Sequence, residues 1–335
     1  MAGMGRYLLK RGIDRLVLIL TVVSLQFILL RVVPVYVLGF DPTAFLIDPN
    51  SPPEVANILR RQYGIDEPVF PHQFARYVLS LFTFQFGYSF ASGKPVIGEI
   101  MDRLPNTVAL DSLSMLSIWT IALIAGLYAA RKRGSRMDSG IVVLAIWSYV
   151  MPAWLMGLIM LMGLAWAPQI VWGIKLFPIG GTTSPMLPPD LWIRLADYLW
   201  HLSLPLMSVV IAGFGWLTYY MRSMTVSELG QDYVVTARAK GVKEASIMRR
   251  HILKSVSAPV LTVLAMQLPG LMAGGVIFES IFSWYGMGRY MLQSINSFDY
   301  PAVQAVLFMQ GLVAAASLYA LDIAIMYTDP RVRLR

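Results

Sequence analysis

Residues 141–166 read I-V-V-L-A-I-W-S-Y-V-M-P-A-W-L-M-G-L-I-M-L-M-G-L-A-W, with no Asp, Glu, Lys or Arg. At about 1.5 Å of helical rise per residue, such a run can cross the roughly 30 Å hydrocarbon layer of a membrane. Five further apolar windows of similar length stand at 13–33, 108–130, 199–221, 258–282 and 302–327. Backbone groups in lipid must be paired within the segment, which favours helices. The windows therefore predict an all-α polytopic membrane protein with six transmembrane helices. Composition points the same way. Hydrophobic residues make up 57% of the 335 residues and charged residues 14%, against about 25% charged in soluble domains. Too little charge is present to cover a soluble surface, and disordered chains are richer in it. The absence of cysteine excludes disulfides, thiolate-bound metals and a thiol nucleophile. His72, His201 and His251 are far apart in sequence, so no metal site is expected.

Basic residues orient the spans, because Lys and Arg accumulate on the cytoplasmic side. With the N-terminus inside, eighteen of the 27 basic residues fall in cytoplasmic pieces. These are the N-terminal segment, the turn at 131–136, the loop 222–257 and the tail. Asp41, Asp48, Glu54, Asp66, Glu67, Glu99 and Asp102 fall in the outer segments and helix ends. Both termini are expected in the cytoplasm, with the protein in the cell membrane. The net charge of +8 then reflects this bias and an attraction to anionic membrane lipid. No nucleic-acid partner is expected, since the basic residues are spread over four short pieces.

Three parts follow: residues 1–33 with the first span, an extracytoplasmic segment 34–107, and a five-span core 108–335. In the outer segment, Glu54–Tyr63 reads as a short helix and Phe74–Phe86 as an amphipathic helix on the membrane surface. Arg103-Leu104-Pro105-Asn106-Thr107 reads as the start of the second span, with Asn106 or Thr107 capping free N–H groups. The outer loop 167–198 is rich in Pro and Gly and has no apolar period.

The loop 222–257 is the most informative. Asp232 to Lys240 favour helix, Gly241 interrupts, and Lys243 to Lys254 favour helix again. A glycine between two short helices suits a left-handed turn. Ala237, Ala239 and Gly241 are small residues around that turn. Two readings are open: an interfacial helix on anionic lipid, or a knob that docks another protein.

Here the chain resembles the permease subunits of ATP-binding-cassette importers. Their loop template is Glu-Ala-Ala, three residues, Gly, and Val235-Thr236-Ala237 followed by Gly241 occupy those positions. Asp232–Gly241 with Arg250-His251-Ile252-Leu253 is similar to the peptide/nickel branch. So are Phe86-Gly87-Tyr88-Ser89, Pro95-Val96, Arg103–Thr107, Glu279–Ser283, Asp299-Tyr300-Pro301-Ala302-Val303-Gln304 and Asp329-Pro330-Arg331. Trp284-Tyr285-Gly286-Met287-Gly288 departs from the Pro-Gly-Leu-Gly usual there, and Leu318 stands where an Asn is frequent. The resemblance implies a type I importer permease fold that is not an enzyme. It implies a second homologous permease subunit, two ATP-binding subunits that carry the ATP and Mg, and an extracytoplasmic solute-binding protein. The implied cargo is peptide, with oligosaccharide as the alternative. No Gly-x-x-x-x-Gly-Lys-Ser/Thr phosphate loop occurs in the chain, so no ATP cofactor of its own is expected. Thr236, Ala237, Arg238, Lys240 and Gly241 are the implied docking contact for an ATPase subunit.

Inside the spans, Asp322 is the one deep acid, and it reads either as a helix-packing partner or as a pathway group. Glu279 lines a pathway or ends a helix in solvent. Pro269-Gly270 and Gly274-Gly275 interrupt the fifth span, as a flexible lining or as a close helix contact. The outer tryptophans anchor the membrane interface or stack on a sugar. A self-sufficient channel or ion-coupled carrier is the rival class. It would carry several paired intramembrane charges, whereas Asp322 is nearly alone.

Overall fold

A computed structural model describes residues 2–39, 67–268, 270 and 274–328. Among them, regular structure is helical apart from one isolated bridge between Tyr88 and Pro95. Five helical stretches are long and apolar enough to cross a membrane: Tyr7–Val37, Val96–Arg131, Ala153–Trp172, Leu191–Leu229 and Tyr300–Ile323. The predicted helix Glu54–Tyr63 lies outside the described residues.

The elements are α1 (Ala2–Phe27, continued in wider turns over Ile28–Val37), α2 (Phe74–Phe82) and α3 (Val96–Arg131). Next come α4 (Arg136–Val150), α5 (Ala153–Met160, continued by Leu161–Trp166), α6 (Ala167–Trp172) and α7 (Leu191–Leu229). They are followed by α8 (Asp232–Ala239), α9 (Glu244–Ile247), α10 (Leu253–Gln267), α11 (Val276–Ile281), α12 (Met287–Asn296) and α13 (Tyr300–Thr328).

Expectations about helix boundaries are corrected. The window 141–166 is not one helix. It breaks where Met151 turns to ψ 120° and Pro152 to ψ 131°, because proline clashes with a helical predecessor and has no N–H to give. The window 258–282 is not continuous either: α10 ends at Gln267, Gly274 has φ +66°, and α11 begins at Val276. Pro269 itself lies outside the described residues. Lastly, the second span has no cap at Asn106 or Thr107. The helix already runs from Val96 through Pro105, and those two side chains bond elsewhere, as described below. The predicted helix 74–86 is shorter, ending at Phe82 with Tyr77 and Leu81 buried.

The described residues fall into two compact units. The first takes Met1–Pro105, Leu268–Val276 and Gly286–Arg335. Phe27, Tyr77, Leu81, Phe86, Ile100, Met287, Tyr290 and Phe308 form its core. Phe27 meets Phe74 edge-on at 5.3 Å. A carboxylate knot closes this unit: Asp299 accepts the Ser89 hydroxyl, Phe90 N–H at 3.0 Å and Ala302 N–H at 3.3 Å. One side chain thus caps α13 and holds the turn before α3.

The second unit takes Asn106–Gln267 and Ile277–Tyr285. Its α4 and α7 lie very close, and a β-carbon on Gly215 would stand 1.9 Å from the Ala145 carbonyl oxygen. Only glycine fits there. The Ser148 hydroxyl donates to the Ile211 carbonyl at 2.6 Å and accepts from Gly215 N–H at 3.1 Å. The two groups stand four residues apart on α7, which continues as helix through this point. Two apolar clusters complete the unit. One centres on Met156, Leu204, Phe282 and Trp284, and the other on Leu217, Met221, Val234, Ile247 and Ile252.

Candidate functional site

The loop 222–257 is mostly helix. Its first eight residues extend α7 to Leu229, and Gly230-Gln231 turn the chain into α8. Asp232 lies in the first turn of α8 and Arg238 in the last, which suits the helix dipole at both ends. The helix then ends in a Schellman motif. Val242 N–H reaches the Ala237 carbonyl at 3.1 Å and Gly241 N–H reaches the Arg238 carbonyl at 2.9 Å, with Gly241 at φ +77°. Both last carbonyls find donors this way, and the left-handed residue is the glycine expected from the sequence. The second helix differs from the reading of Lys243–Lys254. It starts at Glu244, widens over Met248–Ile252 and runs straight on as α10.

Burial divides α8 into two faces. Val234 and Ala237 are buried in the cluster with Leu217, Met221 and Ile247. Thr236, Arg238, Lys240 and Gly241 are exposed, beside Val235 at 57%. Ala237 is therefore part of the inner support, and four of the five residues named from sequence share the outer surface. Arg238 donates to Glu244 at 2.6 Å, and this bond holds the Glu244 carboxyl below its usual range. The pair bridges the turn while staying open to solvent. Tyr233 donates to Glu228 at 2.6 Å, tying α8 back to the end of α7.

The remaining candidates separate. Asp322 is paired with Arg15, whose Nη2 donates at 2.7 Å, and with Arg11 at 3.7 Å, binding α13 to α1. Glu279 is 1% exposed and accepts the Thr107 hydroxyl at 2.8 Å, so it is no solvated helix end. Nearby, Asn106 donates to the Tyr285 carbonyl at 2.7 Å, and Trp284 Nε1 donates to the Asn106 carbonyl at 3.1 Å. Gly270 and Gly274 lie in the break between α10 and α11.

Sequence reading missed a bidentate ion pair at the start of the loop. Arg222 donates through Nε to Asp138 Oδ1 at 2.5 Å and through Nη2 to Oδ2 at 2.7 Å. The available signal was local: Ser135-Arg136-Met137-Asp138 is a capping pattern, and Ser135 does accept Asp138 N–H at the start of α4. Nothing local pointed to a partner 84 residues away.

Long apolar helices define a membrane-spanning protein. Comparison with known proteins gives the family. Residues 122–334 match the family described as "binding-protein-dependent transport system inner membrane component", and residues 4–111 match its N-terminal counterpart. The chain belongs to this family, as a permease subunit of an ATP-binding-cassette importer located in the membrane. It is 29% identical over 330 residues to the oligopeptide transport system permease protein AppB of Bacillus subtilis, covering 98% of this chain and 99% of that protein. It is 30% identical to the dipeptide transport system permease protein DppB of Lactococcus lactis, over 99% of this chain and 100% of that protein. It is 32% identical to the di/tripeptide transport system permease protein DppB of Pseudomonas aeruginosa, over 93% and 94%.

Proposed function

We propose that this chain conducts short peptides, delivered by a solute-binding protein, through a pathway shared with a second homologous permease subunit. ATP is hydrolysed by two separate subunits inside. The exposed face of α8, with Thr236, Arg238, Lys240 and Gly241, seats one of them. Six spans with both termini in the cytoplasm put this face on the side where ATP is. What supports the peptide reading is the near full-length similarity to permeases named for oligopeptide and dipeptide transport. What supports the docking reading is the split of α8 into a buried face and an exposed one that stays rigid because its end is capped. A seat that passes on force must not melt when loaded, and the Schellman bonds supply that stiffness. Movement of the seated subunit would tilt α7 and α10, which flank the loop, and so alternate access to the pathway.

Cargo is tested by calorimetry on the cognate solute-binding protein with trialanine and with maltotriose. Binding of the peptide and not of the sugar is expected. Binding of the sugar alone overturns the peptide reading.

A further inference from the structure

We infer that Asp138 and Arg222 are positioning residues for coupling: their ion pair holds the underside of the docking helix in place. The inference rests on the docking reading of α8. Three observations carry it.

First, the pair is built from both sides. The Asp138 carboxylate receives both prongs of the Arg222 guanidinium and also Gly134 N–H at 2.9 Å. Asp138 is 3% exposed, and it sits in the first turn of α4, where the helix dipole favours an anion. A fork on a carboxylate fixes direction as well as distance.

Second, the pair is adjacent to the support of α8. Met221 precedes Arg222, and with Leu217 it belongs to the buried cluster that contains Val234 and Ala237, the inner face of α8. A β-carbon on Gly126 would stand 2.6 Å from Met221 Cβ, so α3 also closes on this point. Whatever fixes Arg222 fixes the surface on which the docking helix rests.

Third, stability alone does not call for an ion pair here. Asp138 is buried while the Arg222 side chain keeps 20% exposure, and replacing both partners of such a pair by apolar residues is often neutral or stabilising. An ion pair instead specifies one arrangement of α4 against α7. A coupling path needs that property, because a slack joint would absorb the movement of the ATPase subunit before it reached the spans.

The test uses the full complex in proteoliposomes, with ATP hydrolysis measured with and without the cognate solute-binding protein. Stimulation by that protein is the readout, because it must travel from the outer side to the ATPase. Asp138→Asn and Arg222→Gln are each expected to remove most, but not all, of the stimulation while the ATPase subunits remain bound. The double variant is expected to be no worse than either single one, since both remove the same contact. The exchange Asp138→Arg with Arg222→Asp is expected to restore part of it. Arg222→Lys keeps the charge and loses the fork, so a partial loss is expected even if the stronger variants fail to accumulate. Native stimulation in Asp138→Asn, or in Arg222→Lys should only that variant fold, overturns the proposal. Gly241→Leu is measured alongside. If it loses stimulation while the pair variants keep it, only the pair falls. If it too is stimulated normally, the docking reading falls with it.

Discussion

Replacing Gly241 by leucine separates docking from folding. The residue sits at φ +77° at the end of α8, and an added β-carbon would meet no atom within 4 Å. Steric overlap therefore contributes nothing to the cost. What remains is the left-handed backbone, unfavourable for an L-residue by about 1–2 kcal/mol. That is small beside the several kcal/mol by which a folded domain is stable. The leucine side chain, however, would stand on the surface that carries Thr236, Arg238 and Lys240. A well-packed interface accommodates extra methylenes badly, at about 1–3 kcal/mol, and a displaced helix loses its seat. Gly215→Ala is the counter-case, since its β-carbon would lie 1.9 Å from the Ala145 carbonyl oxygen. The assay is purification of the complex, quantitation of retained ATPase subunits, and peptide uptake into vesicles. Gly241→Leu should accumulate in the membrane and fail to transport, whereas Gly215→Ala should fail to accumulate. If Gly241→Leu keeps its ATPase subunits and transports at the native rate, α8 is not the coupling element.

Other outcomes follow from single sites. With no native cysteine to interfere, Arg133→Cys should react with an impermeant thiol reagent only from the cytoplasmic side. Met186→Cys, at a site 94% exposed, should react only from outside, and labelling of both from one side refutes the orientation. Thr107→Val removes the hydroxyl that donates to buried Glu279 at 2.8 Å. It should lower the thermal stability of the purified complex by about 1–3 kcal/mol, and an unchanged melting curve would show that the bond contributes nothing. The Asp138 carboxyl is held below its ordinary value of 3.8, chiefly by the hydrogen bonds from Arg222. Its folded form being the stronger acid, its stabilisation is complete above that ordinary value and is lost as pH falls below it. The stability gap between the native chain and Asp138→Asn should thus be flat from about pH 5 to 8, begin to narrow below about pH 4, and close only as pH falls through the lower folded value.

The apolar windows located the long helices because length and hydropathy dominate in lipid. They could not place the breaks. Pro152 was visible inside 141–166, yet proline within a span either kinks it or ends it according to what packs around it. Thr107 and Asn106 illustrate a second limit. Both residues follow Pro105 and look like caps, but α3 had begun ten residues earlier, and their side chains bond to Glu279 and Tyr285. Gly241 was legible since a left-handed residue at a helix end has a local signature. That Ala237 turns inward while Thr236 turns outward depends on the direction from which Met221 and Ile247 approach. The pairing of Asp138 with Arg222 and of Ser89 with Asp299 joins residues 84 and 210 positions apart, beyond any local pattern.

The Ser148 hydroxyl between Ile211 and Gly215 is a polar clamp between α4 and α7. It serves a carbonyl and an N–H one helical turn apart, at the level where Gly215 brings the two backbones together. Contact without a side chain between them leaves little space for one helix to slide along the other. The clamp lies about two helical turns before Arg222, whose guanidinium grips Asp138 on the same pair of helices. Two bonded levels define a line, so α4 and the end of α7 would answer a push on either as a single lever.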